Sequence, residues 1–186
     1  MRKNFGPKPW LYPMPVLIIG TYDEAGVPDA MNAAWGMISD MDKVTICLDA
    51  RHKTVKNIMM KKAFTVSMAD AKNVIAADYV GIISGNDVPD KVAKTGWHVT
   101  KSEHVDAPVF EELPMTLECK MLSYDEESEL MTGEIVNICI DERILDDKGN
   151  VDLSKFKPIT YDAANHDYVT LGEKVGDAFS IGKKLN

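Results

Sequence analysis

The sequence predicts a mainly β fold, an antiparallel barrel carrying short helices. Short β-branched and aromatic runs recur along the chain, Gly, Asp and Asn clusters separate them, and helical periodicity is confined to brief stretches. A doubly wound parallel sheet would alternate its strands with longer helices. Neither the Gly-x-Gly-x-x-Gly fingerprint nor a Gly-Lys-Ser/Thr loop occurs, so any nucleotide must be held in another way.

The elements follow in chain order. Gly6 to Pro15 carries Pro7, Pro9, Pro13 and Pro15 with Trp10 and Tyr12, which predicts an extended arm. Val16 to Tyr22 is a β-rich run that stops at Asp23-Glu24-Ala25-Gly26 and resumes from Pro28 through Ile38. That pattern predicts a hairpin whose second strand holds Ala33-Ala34-Trp35. Ser39 to Asp42 turns into a third strand, Lys43 to Leu48, which delivers Asp49 to Thr54 to a loop. From Thr54 the period changes, because Val55, Ile58 and Met59 fall at i, i+3 and i+4 behind a capping hydroxyl. Phe64 to Met68 reads as a fourth strand and Asn73 to Val80 as a short helix ending near Gly81. The stretch from Ile82 to Trp97 is irregular, with a helical turn over Val88 to Lys94. Leu117 to Tyr124 alternates as a half-buried strand, Asp125 to Ser128 is a charged turn, and Leu130 to Asp141 returns. After the turn at Asp146 to Asn150, the tail from Pro158 carries Tyr161, His166, Tyr168 and Phe179.

Composition narrows the function classes. A chain of 186 residues, 45% hydrophobic, can bury a core and is expected to form one domain over 1–186. Its net charge of -8, with the basic residues scattered, argues against a nucleic-acid or membrane-surface binder. No apolar run approaches the roughly 20 residues of a membrane span, and Met1 to Pro7 lacks the apolar centre of a secretion signal. A cytoplasmic protein is expected. Cys47, Cys119 and Cys139 are far apart and each falls in a predicted strand, which reads as buried thiols. His52, His98, His104 and His166 have no zinc-site spacing, so no metal is expected.

One constellation carries chemistry. Met31-Asn32-Ala33-Ala34-Trp35-Gly36 sets small residues beside an amide and an indole, and alanines let main chain approach a planar ring. Leu48-Asp49-Ala50-Arg51-His52-Lys53-Thr54 opens a helix, whose first N–H groups and partial positive charge suit a phosphate. Together they fit a phosphorylated aromatic cofactor. Each residue also has a plainer reading. Trp35 on a strand packs in cores, Arg51-His52-Lys53 makes a solvated loop, and His166 between Asn165 and Asp167 is a surface side chain. Lys91 decorates a helix, and the 11 methionines fill a core.

The residues carry a resemblance as well. Pro13 to Tyr22, Asn32-Ala33-Ala34-Trp35, Arg51-His52-Lys53-Thr54 with Asn57-Ile58, and Phe64 with Val66-Ser67 follow an order similar to the flavin reductase-like family. Ser84-Gly85, Asp90-Lys91, Ala107-Pro108, Leu117-Glu118-Cys119, Gly133 to Val136 and the ending from Tyr168 to Gly182 continue it across almost the whole chain. This resemblance implies an FMN-binding split barrel, Greek-key and antiparallel, working as a homodimer with flavin near the subunit contact. Carried over residue by residue, Asn32, Ala33, Ala34 and Trp35 would line the isoalloxazine ring. Leu48, Asp49, Ala50, Arg51, Lys53 and Thr54 would surround the ribityl chain and phosphate, with Ser67 and Met68 on the neighbouring strand. Lys91 would supply positive charge near flavin or nicotinamide, and Tyr161, His166 and Tyr168 would cover the ring from the tail.

The implied activity transfers electrons from NAD(P)H through FMN to a flavin, a small oxidant or a redox partner. Such chemistry asks the protein to stack rings and tune the flavin by hydrogen bonds, without a catalytic acid–base pair. Two alternatives stay open: an FMN electron carrier that does not use nicotinamide, and a split barrel that binds another ligand or serves as a structural dimer.

Overall fold

The structure is a computed structural model that describes residues 1–185, so the expected domain end at Asn186 lies outside the described residues. Its centre is a seven-stranded antiparallel sheet. In chain order its strands are β2 (Leu17–Tyr22), β3 (Pro28–Ala33), β4 (Gly36–Asp40), β5 (Lys43–Cys47), β6 (Ala63–Met68), β9 (Met115–Asp125) and β10 (Leu130–Ile140). Their spatial order is β3-β2-β6-β9-β10-β5-β4. A smaller sheet joins β1 (Met14–Pro15), β11 (Ile159–Asp162) and β12 (Asp167–Thr170), and β7 (Val99–Lys101) pairs with β8 (Pro108–Phe110). The helices are short: α1 (Lys53–Lys61), α2 (Val74–Ile82), α3 (Lys91–Thr95) and α4 (Leu153–Phe156). None is long and apolar enough to cross a membrane, among the described residues.

Chain length forces the sheet to roll. β3 and β4 lie at opposite edges of the sheet, yet only Ala34 and Trp35 separate them in sequence. Seven flat strands would hold those edges about 29 Å apart, whereas the link from Ala33 to Gly36 reaches at most about 11 Å. The sheet therefore curls until its edges approach, and the Cys47 backbone N–H donates to the Trp35 carbonyl at 2.8 Å, carrying the β4–β5 ladder one step into the link. The structure has the split-barrel form, mainly β with few short helices, that the flavin reductase-like resemblance implies.

The continuous apolar run of β2 reflects burial on both faces. Leu17 and Ile19 enter one core with Ile46, Leu48, Phe64, Val66 and Met131, onto which α1 lays Val55 and Ile58. Val16 and Ile18 enter a second core with Ala77 and Val80 of α2, Val92 of α3, Trp97 and Phe110. Period-two alternation makes the division. The long β9–β10 pair bends at two irregularities, Thr132/Gly133 and Ile135/Asn137. At the first, a Cβ on Gly133 would sit 2.4 Å from Phe64 Cζ.

Three expectations are corrected. The run from Pro28 to Ile38 is two strands with different partners: β3 pairs with β2, and β4 with β5. Ala34 and Trp35 therefore lie between strands, a partner exchange that alternation in sequence does not record. The Thr54 hydroxyl does not cap α1, since His52 is the N-cap and Thr54 turns inward. The second helix ends near Gly81 as expected, at Ile82, and packs Gly81 against Asn32. Of the three strand cysteines, all free thiols, Cys119 is buried, Cys47 half-buried and Cys139 exposed, because β5 and β10 do not bury both faces along their length.

Gly133→Ala is expected to cost roughly 1–3 kcal/mol, the usual range for overpacking a filled core, because its new methyl meets the edge of the Phe64 ring. Urea denaturation of the two proteins measures the difference.

Candidate functional site

The site is built outward from β3 and the link after it. Asn32, near the end of β3, donates from Nδ2 to the Ala77 carbonyl of α2 at 3.1 Å, and the same nitrogen lies 3.5 Å from the Tyr168 hydroxyl. Tyr168, on β12, donates to Asp78 Oδ1 at 2.8 Å. The Tyr161 hydroxyl and His166 Nδ1 are 2.8 Å apart, and the Tyr161 and Tyr168 rings meet at a centroid distance of 6.0 Å. His166 takes φ 60° in the tight turn between β11 and β12, which aims its ring back at Tyr161. These side chains, with Ala34, Gly81 and Ile82, line a cavity of about 370 Å³.

Ala34 also borders a second, apolar cavity of about 690 Å³. One wall is the link and the start of β4, with Trp35, Gly36 and Met37. The opposite wall is the N-terminal arm, with Lys8, Trp10, Leu11 and Pro13. The arm is held there by pairing of β1 with β11, by a Tyr12 hydroxyl bond to Asp162, and by Thr160 Oγ1 donating to the Met14 carbonyl at 2.7 Å. Trp35 is 58% exposed, so its indole is not core packing.

The loop after β5 brings cationic groups to the start of α1. Arg51 pairs with Asp49 through Nε at 2.9 Å and holds the Asp49 carboxyl well below the usual carboxylate range. Lys53 Nζ lies 3.1 Å from Asp23 Oδ2. Among the described residues the backbone N–H groups of Lys53, Thr54 and Val55 have no protein acceptor, as the first turn of a helix leaves them. Behind them Thr54 Oγ1 donates to buried Asp29 Oδ2 at 2.7 Å, and Lys91 Nζ lies 3.8 Å from Asp29 Oδ1. Lys91 also donates to the carbonyls of Val80 at 3.0 Å and Ile83 at 2.8 Å. Burial lowers its pKa, and Asp29 partly opposes that shift.

Asn32, Ala34, Tyr161, His166 and Tyr168 thus share one cavity, and Trp35 shares the adjoining one with Ala34. Other side chains in the predicted set line neither. Ala33 and Leu48 belong to the first core, half-buried Met68 packs against it, and Ser67 is buried against Thr116 at 2.7 Å. Asp49 and Arg51 pair at the surface, and Ala50 is exposed. Lys91 is buried, not a surface decoration of its helix. The sequence reading missed Asp29, Asp78 and Asp23. A signal existed for two of them: Asp29 is an acid inside a strand run, and Asp78 is the lone charged residue of Val74–Ile82.

Tyr168 is pushed up to about 12 from 10.0, first by burial and then by its hydrogen bond to Asp78 and that carboxylate's charge. Asp78→Asn removes the negative charge that disfavours phenolate, so the Tyr168 titration is expected to move down toward 10.0. Ultraviolet difference titration, with Tyr168→Phe as the blank, reads the change.

The model of the flavin reductase like domain family matches residues 11–167. In three dimensions the chain is similar to the flavoredoxin of Desulfovibrio vulgaris (Miyazaki F), with 35% identity and a TM-score of 0.93 over 98% of this chain and 100% of that one. It is also similar to the flavoredoxin from Methanosarcina acetivorans, at 26% identity and a TM-score of 0.90 over 100% of both chains. A protein of Aquifex aeolicus is 31% identical over 111 residues, a match that spans 57% of this chain and 55% of that protein, about half its length. The family match starts in the arm and runs to the first residue of β12, taking in every strand of the rolled sheet, and the chain belongs to the flavin reductase-like family.

Proposed function

We propose that this protein binds FMN and works as an oxidoreductase of the flavin reductase and flavoredoxin type. In this reading it moves electrons from NADH or NADPH to a flavin, a small oxidant or a redox partner. The observation that carries the reading is the place of Ala34 and Trp35: a single methyl side chain stands between two cavities, and an exposed indole borders the larger. The residues present fit the cofactor at both ends. Among the described residues, three N–H groups without a protein acceptor open a helix of nine residues beside Arg51 and Lys53, a setting suited to a phosphate monoester. The amide of Asn32 and the phenols of Tyr161 and Tyr168 stand where a flat heterocycle needs polar partners.

Bound FMN would supply the electron-transfer chemistry. The chain's own part is holding and tuning. Arg51 and Lys53 would take the phosphate together with the main-chain N–H of Thr54; Asp49 and Ala50 would lie along the ribityl chain with Met68 on the neighbouring strand, and buried Leu48 and Ser67 would back that wall from inside. Exposed ion pairs such as Arg51 with Asp49 are worth only about 0–1 kcal/mol, so Arg51 turns from Asp49 to a phosphate at little cost. Main chain from Asn32 to Trp35 approaches the ring, Lys91 places a positive charge behind the site, and Tyr161, His166 and Tyr168 cover it from the tail. Tyr168 spends its hydroxyl proton on Asp78, so toward a ring it would offer the phenol oxygen as an acceptor. The unit in this reading is a homodimer in the cytoplasm, and the pairing is supported by the exposed Trp35, Met37 and Ile38 beside an apolar arm.

The likeness to flavoredoxins favours a second reading, an FMN carrier that exchanges electrons with another protein and does not use nicotinamide directly. Anaerobic mixing separates the two. Prompt bleaching of the yellow protein by NADH or NADPH is expected for the reductase. Bleaching only by a chemical reductant marks the carrier, and a colourless protein that fails to take up added FMN removes both. Arg51→Ala is expected to raise the FMN Kd about tenfold, the loss of one charge-assisted contact, with the far-ultraviolet circular dichroism unchanged.

A further inference from the structure

We infer that Asp29 is the positioning residue that ties the phosphate end of this site to its ring end. The inference rests on the FMN reading above, and its test is arranged so that the two can fail separately.

Asp29 lies on β3 and is wholly buried. A carboxylate in that position is stable only if its surroundings are organised around it. Oδ2 accepts the Thr54 hydroxyl, while Oδ1 has no hydrogen-bond partner among the described residues. What faces Oδ1 is the Lys91 ammonium, 3.8 Å away, and Gly85, where an added Cβ would come within 2.3 Å. The same Cβ would stand 3.1 Å from Lys53 Cδ. One oxygen pair therefore meets the first turn of α1, the loop at Gly85 and the buried end of Lys91.

Lys91 extends the connection. Its two bonds to the Val80 and Ile83 carbonyls hold the end of α2, and α2 is also the helix whose Ala77 carbonyl takes the Asn32 amide. β3 is fastened to α2 directly through Asn32 and indirectly through Asp29 and Lys91. The same Asp29 anchors the first turn of α1 through Thr54. Asn32 and the unpaired N–H groups of α1 belong to the two ends of the proposed cofactor site, so Asp29 fixes the spacing between them. A carboxylate that only stabilised the fold would weaken every ligand alike when neutralised. A spacing device would weaken ligands that use both ends and spare those that use one.

FMN and riboflavin, which lacks the phosphate, make that distinction. Their Kd values are measured by quenching of flavin fluorescence for the unaltered protein, Asp29→Asn and Gly85→Ala. Gly85→Ala removes no charge and presses a methyl chiefly against Oδ1, with a looser contact on the Lys53 stem. Both variants are expected to lose FMN affinity about tenfold while riboflavin affinity changes less than about twofold. Parallel loss of both ligands, or loss of neither, overturns the inference while the preference of the unaltered protein for FMN still stands. Should Asp29→Asn not fold, the FMN-to-riboflavin ratio of Gly85→Ala decides by the same criterion. An unaltered protein without preference for FMN removes the cofactor reading, and the positioning role falls with it.

Discussion

Two residues must bridge the opposite edges of a seven-stranded sheet, and most of what the molecule does with its surface follows from that shortage of chain. An open twisted sheet could keep its edges apart only with a long crossover. Ala34 and Trp35 supply none, so the sheet rolls, its concave side fills with Leu17, Ile46, Phe64 and Met131, and the seam becomes a place where backbone changes partners. A backbone between ladders has groups to spare and room beside it. Both cavities open at this seam and share Ala34 as a wall.

Polar groups inside the barrel are arranged in closed sets, and each set joins elements far apart in sequence. Asn57 donates to Thr21, Ser67 is bonded to Thr116, and Thr65 donates to the Pro108 carbonyl, each linking a helix or strand to a neighbouring strand or loop. Buried polar side chains are costly unless partnered, so these pairs specify register more than they add stability. Asp29 differs, because one of its oxygens is left facing an ammonium at a distance too long for a hydrogen bond. Asp78 and Tyr168 form a second such set beside Asn32, half-buried and facing a cavity.

Much of the fold was legible in the residues. β2, β5, β6, β9 and β10 are runs in which alternation, β-branching and bounding turns agree, and local preference matched the final structure in each. Where a segment has two roles the reading failed. Pro28 to Ile38 looks continuous because Gly36, Met37 and Ile38 suit a strand as well as Ala30 and Met31 do, and only the choice of partner divides them. Thr54 looks like a cap because it is a hydroxyl before an apolar stripe. Its hydroxyl prefers Asp29, 25 residues earlier, a competitor that local pattern does not contain.

The chain by itself determined the fold class, the family and which segments carry polar and small residues in a suggestive order, since these are properties of local pattern and of motif sequence. Tertiary structure alone decided which of those residues face one another. Asn32, Ala34, Tyr161, His166 and Tyr168 meet because a rolled sheet and a tail strand bring residues 32 and 168 within reach, while Leu48, Ser67 and Thr54 turn their side chains inward. The physical reason is that burial and pairing are settled by packing between elements, where the competing partners for a hydroxyl or a carboxylate are distant in sequence and adjacent in space.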